Sequence, residues 1–202
     1  MTQLAPLFLA CLALLVGPPP EAAVSAPDAE EYAVYSALIS EVYVDEGVEL
    51  IVIENRTRAR LQGAERLNPD AATGAPTETR PLRRLGQETF DDFLERNKQP
   101  RSLQRRFDFK VKHVLVSNEE MEAVFAKEFV LDRTAWDRFY AAYPRSQGRL
   151  QLSSVGFDKT KNQALVYVGN QKHFLSGAGY YVLLEKQNEV WVVLEKVTVW
   201  IS

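Results

Sequence analysis

The sequence contains one cysteine, Cys11, and two histidines, His113 and His173, in 202 residues. Cys11 sits inside an N-terminal apolar run, so the rest of the chain has no thiol. That composition excludes internal disulfides, thiolate nucleophiles and cysteine-based zinc sites. So few histidines leave one metal arrangement to consider, His113 and His173 with Glu185 or Asp108 as a third ligand. No ligand spacing supports it, and the expectation is no metal and no cofactor. The signatures GxGxxG, GxxxxGK[ST], GxSxG, HExxH and the EF-hand loop are missing as well, which removes the best-marked catalytic mechanisms.

Excess positive charge is lacking too. The formal net charge is −3, and residues 27–202 carry all 24 basic residues against 26 of the 27 acidic ones. Nucleic-acid binding needs a concentrated basic footprint, so that class is excluded. A long apolar run occurs only at Leu4 to Gly17, 14 residues. That is short for a bilayer span and suits the apolar core of a signal peptide. Pro18 to Pro20 stop any helix, and small residues at Ala23 to Ala26 offer a cleavage point. The expectation is a signal peptide at 1–26 and export to the periplasm or the extracellular space. An uncleaved anchor is the competing reading, because no basic side chain precedes the apolar run.

What the chain does have is alternating helix and strand patterning. Val34, Leu38, Ile39 and Val42 recur at helical spacing within 28–47, behind a capping Asp28. VELIVIENRT, 48–57, reads as a strand. The stretch 58–86 is rich in Pro, Gly, Thr and Asp with no period, and reads as a surface loop excursion. Helical spacing returns in QETFDDFLERNK, 87–98. FDFKVKHVLVS, 107–117, alternates as a half-wet strand. Ser117 opens a short helix through a capping box. Trp136, Phe139, Tyr140 and Tyr143 form an aromatic stripe on a helix at 134–143, expected to pack on the C-terminal sheet.

Four strands follow, at 149–157, 163–169, 179–186 and 190–201, spaced as an antiparallel meander. The apolar C-terminus is broken by Glu185 to Glu189 and again by Glu195-Lys196, which rules out a spanning helix. The mature chain is therefore expected to hold no transmembrane segment. Side chains alternate along a strand, so Trp191 and Trp200 must face opposite ways, with a bulge or edge near Glu195. An exposed tryptophan beside Tyr180 or Tyr181 would mark a partner surface. The expected fold class is α+β: one domain at 27–202, with a curved antiparallel sheet whose C-terminal meander packs against helices.

Candidate functional residues are few. Arg101, Arg105 and Arg106, with Arg80, Arg83 and Arg84 upstream, form a basic region suited to a small anionic ligand. His173 and Tyr180 complete the candidate ligand-binding set. Asp91, Asp92 and Glu95 cluster on one helix, where a solvated face is the expected role rather than acid–base chemistry. Asn55-Arg56-Thr57 matches a glycosylation sequon and also reads as a strand entering a loop.

The segment YPRSQGRLQLSSVGFDKTKNQALVYVG, with GYYVLLEK after it, resembles exported bacterial proteins of unassigned function, a resemblance that implies no activity and no site residues. A helix on a curved sheet is also similar to the cystatin-like and NTF2-like cone folds in architecture. The functional expectation is an exported, non-catalytic binding or structural domain with a protein or small anionic ligand as partner. The alternative is a small-ligand binder or enzyme with a pocket between helices and the concave sheet face. A closed apolar interior favours the first, and polar groups converging in a cavity favour the second.

Overall fold

A computed structural model describes residues 26–61, 63–70, 81–125 and 133–202. Apart from Ala26, the expected signal peptide lies outside these residues, as does Arg80. The elements are α1 (Ala29–Val42), β1 (Leu50–Glu54), a 3-10 turn (Ala64–Leu67), α2 (Gln87–Arg96), β2 (Lys112–Val116), α3 (Asn118–Phe125) and α4 (Arg133–Ala142). They are followed by β3 (Ser146–Leu152), β4 (Gly156–Phe157), β5 (Gln163–His173), β6 (Ser176–Gln187) and β7 (Val190–Ile201). The class is α+β, around one open seven-stranded sheet in the order β2-β1-β3-β5-β6-β7, with β4 beside β5.

The meander β3-β5-β6-β7 is antiparallel throughout, as its short turns dictate. The other end departs from the expected antiparallel sheet, because β1 pairs in parallel with both β2 and β3. Long connections through α2, and then through α3 and α4, separate these strands, and parallel pairing requires such crossovers. The strand expected over 107–117 shortens to β2 for a related reason. Its partner β1 has five residues, all matched by Lys112–Val116, and nothing remains for 107–111 to pair with. Phe107 and Phe109 instead pack at the rim of the core.

The first face of the sheet is covered by α1. Asp28 accepts from the Glu31 N–H at 2.9 Å while Glu31 reaches back to the Asp28 N–H, closing the capping box. Tyr35, Leu38 and Ile39 of α1 are fully buried against Ile51 and Ile53, Leu150 and Leu152, Val166 and Val168, and Val182 and Leu184. These sheet residues alternate along their strands, so one continuous core runs from β1 to β6, and Trp191 of β7 closes it. The Trp191 indole donates to Glu30 at 2.6 Å, tying β7 to α1.

The opposite face carries two separate apolar patches. In one, Phe90 and Phe93 of α2 meet Leu165, Tyr167, Tyr181 and Leu183. Gly156 permits the approach, since a Cβ there would lie 2.4 Å from Phe93 Cα. Ala64, Leu67, Leu82 and Leu85 join this patch from the 58–86 stretch. In the other, Met121, Trp136 and Phe139 of α3 and α4 meet Val52 and Val116. The aromatic stripe of α4 thus packs on β1 and β2 rather than on the C-terminal meander, a correction to the sequence reading. It reaches the meander at the β5–β6 hairpin, where the Tyr140 hydroxyl donates to the Lys172 carbonyl at 2.8 Å. The crossover from β2 to β3 delivers α4 to that end of the sheet. Among the described residues, no helix is long and apolar enough to cross a membrane.

Candidate ligand-binding site

Between the two patches the second face is polar. Ile53 opposes Leu150, which sets Glu54 beside Gln151; Gln151 opposes Gly169, Gly169 opposes Gly179, and Gly179 opposes Trp200. One row of side chains therefore crosses five strands on a single face. The neighbouring row runs from Val52 through Arg149 and Gln171 to Gly177.

The polar members are interlocked. Gln151 donates to Glu54 Oε1 at 2.7 Å and accepts from Arg58 at 3.0 Å, which fixes its amide. Arg149 donates to Gln171 Oε1 at 2.6 Å and lies 5.4 Å from the Phe125 ring centre. Its Nε stands 3.3 Å from Glu54 Oε1 but is misaligned, so this buried N–H makes no hydrogen bond. A buried donor left in that state costs about 1–3 kcal/mol.

Above the row opens a cleft of about 310 Å³, lined by Glu54, Asn118, Met121, Glu122, Phe125, Arg149 and Gln151. That is the lower end of the range for small-molecule sites. Two ring- or sulfur-bearing side chains form one wall, and carboxylate, amide and guanidinium groups form the floor. The arrangement can hold a small polar ligand by one apolar face and several directed hydrogen bonds.

The sequence candidates lie elsewhere and do not converge. Arg101 is buried and donates to both oxygens of the fully buried Glu31 at 2.8 Å. Arg96 adds a contact to Glu31 at 3.3 Å, and the group ties α1 to α2. Arg106 lies 5.2 Å from the Tyr32 ring centre, and Arg105 is exposed near His113. Arg84 pairs with Glu185 of β6 at 2.8 Å, whereas Arg101 pairs with Glu31 of α1. His173 packs on Phe174 and Trp136, and Tyr180 carries Lys196 over its ring at 4.7 Å.

Asp92 accepts from Arg96 and from the Phe157 N–H, while Asp91 accepts from Gln87 and Glu95 pairs with Lys98. Each of these carboxylates holds local structure. Thr57 of the sequon is buried and accepts from the Arg101 N–H at 2.8 Å, and Asn55 exchanges backbone bonds with Val116 and Leu103. Among the described residues, no three His, Cys, Asp or Glu side chains are grouped to hold a metal ion.

Sequence reasoning missed Glu54, Arg149 and Gln151. The alternation in RLQL marks Arg149 and Gln151 as one face of a strand, but their meeting with Glu54 depends on a register that no local pattern reveals. A second feature also went unread: a basic pocket of about 530 Å³ lined by Arg56, Arg60, Lys98 and the buried Arg101. Its charge is partly offset, since Lys98 pairs with Glu95 and Arg101 with Glu31.

Fold and cleft together define an α+β protein with an open mixed sheet and a polar site on its half-covered face. No family model, no curated protein and no solved structure matches the chain.

Proposed function

We propose that this is an exported, non-catalytic small-ligand-binding domain whose ligand lies in the cleft above Glu54, Arg149 and Gln151. Export is supported by the signal-like pattern of residues 1–26. The observation that carries the binding reading is the polar patch of Glu54 and Gln151 in one row and Arg149 in the next. Apolar side chains at these three positions would join two hydrophobic patches into one core, so the polar residues forgo burial energy. Interlocked, partly buried polar groups are weak contributors to stability, whereas binding sites commonly hold residues that stability alone would not select. Of the two carboxylates in the lining, Glu54 is held by Gln151 at 2.7 Å as a fixed acceptor, which supports reading the cleft as one that positions a ligand.

The test is the stability of the triple variant Glu54→Val, Arg149→Val, Gln151→Val. Urea melts should show it at least as stable as the parent protein, because well-packed apolar residues often replace a buried ion pair without loss. A loss above about 2 kcal/mol would make the row a structural network and defeat the reading.

A further inference from the structure

At the far end of the row the indole of Trp200 is seated in a recess built for it. A Cβ at Gly179 would stand 2.1 Å from Trp200 Nε1, one at Gly177 3.0 Å from Cζ3, and one at Gly169 3.5 Å from Cζ2. Side chains at the first two positions would lift or tilt the ring. Trp200 Nε1 also donates to the Tyr167 hydroxyl at 2.8 Å, which fixes the ring in its plane. An aromatic laid over a cross-strand glycine is a known way to steady a sheet, but that needs only Gly179. Clearance at two glycines of β6, contact over Gly169 of β5 and the tyrosine tether orient the whole ring flat on the sheet.

Among the described residues, this ring is set apart from the other two indoles. Trp136 and Trp191 are each 5% exposed and sit in apolar clusters. Trp200 is half-buried and, among the described residues, belongs to none of the three clusters. The indole reaches back from β7 to Gly169, whose neighbour across the next strand gap is Gln151. One strand spacing, roughly 5 Å, therefore separates the ring edge from the polar row.

We propose that the ligand of this site is a neutral oligosaccharide, with one sugar ring stacked on Trp200 and the next hydrogen-bonded to Gln151 and Glu54. The inference rests on the cleft being the ligand site. An indole face carries negative quadrupole density and attracts the C–H-rich face of a pyranose. Sugar hydroxyls both donate and accept, matching a floor that offers carboxylate acceptors, guanidinium donors and amides that do both. Charge selects against an anion: Arg58 and Arg149 are balanced by Glu54 and Glu122, leaving no surplus cation of the kind that phosphates and carboxylates require.

Because Trp136 and Trp191 are buried, acrylamide quenching of tryptophan emission reports chiefly on Trp200. Cellotetraose, chitotetraose and maltotetraose are titrated to about 10 mM, with adenosine as a planar, uncharged comparison. At least one tetrasaccharide should halve the quenching constant. By calorimetry, Trp200→Leu should weaken that sugar at least tenfold and Glu54→Gln by a similar factor, in variants whose circular dichroism melts match the parent. Absence of protection by all three sugars overturns the proposal. Protection by adenosine alone replaces the saccharide with a planar base, and sugar binding unchanged in Trp200→Leu removes the platform. None of these failures alters the stability of the triple variant, so the two readings fail separately.

Discussion

The two faces of the sheet are built from the same strands and put to different ends. The first is a continuous core, with every strand from β1 to β6 supplying apolar side chains beneath a single helix. The second is covered in two pieces, α2 with the 58–86 stretch at one end and α3 with α4 at the other. Between the two apolar patches, among the described residues, lie the polar side chains Glu54, Arg149 and Gln151 and the indole of Trp200. A sheet needs only one complete core to be stable, so its other face can carry polar side chains at less cost. Stability should therefore be sensitive to changes on the first face and more tolerant of changes on the second.

The largest effect is expected where the faces are joined. Glu31 is fully buried and accepts from Arg101, from Arg96 and, at 3.4 Å, from the Val155 N–H. Glu31→Ala leaves Arg101 buried without its counter-ion and should cost about 3–5 kcal/mol in urea melts. A loss below about 1 kcal/mol would show that the junction is not a desolvated ion pair.

A direct comparison comes next. Leu38 is completely buried in the continuous core, and Leu85 is 4% exposed in the smaller patch. Leu38→Ala should fall in the upper part of the usual range of about 2–5 kcal/mol, and Leu85→Ala at its lower end, where neighbouring chain can relax into the space. Equal losses, or a larger one at Leu85, would break the contrast between the faces.

Much of the scaffold was legible in the sequence. The capping Asp28, the α1 stripe and the meander all follow from local patterns, and parity placed Trp191 and Trp200 on opposite faces. The register of β7 shifts twice, once near Leu194 and once near Val199, and two shifts leave that parity intact. The Pro- and Gly-rich 58–86 stretch hid Leu67, Leu82 and Leu85, because isolated leucines without a period give no sign of where they pack. The destination of α4 was misread because an aromatic stripe states that a helix is covered and not by what. The candidate site was illegible for the same kind of reason. Arg101 and Arg106 stand close in sequence but serve structure, while Glu54, Gln151 and Trp200 become neighbours only through pairings across five strands.

The smallest expected effect separates the faces by pH. His113 stands opposite Ile51 at the rim of the continuous core, with ring centres 5.5 Å from Phe107 and 5.1 Å from Phe109. Burial among these rings, and then the positive charge of Arg105, hold its pKa below the usual value. Between that lowered value and the unfolded value of about 6.5, the unfolded chain binds a proton that the folded chain refuses. Stability should therefore be full above that window and decline as pH falls through it. The carboxylates of Asp28, Glu30 and Asp158 do not confuse the measurement. Burial works against their charge, but hydrogen bonds outweigh it and hold all three below the ordinary carboxylate range. They titrate well under the histidine window. Urea midpoints measured from about pH 7.5 to about pH 5 should fall in the parent protein and stay flatter in His113→Leu. Arg105→Gln should narrow the window by raising the histidine toward its usual pKa. An imidazole titration by NMR at or above the unfolded value would remove His113 from the desolvated rim, and with it the pH sensitivity assigned to the first face.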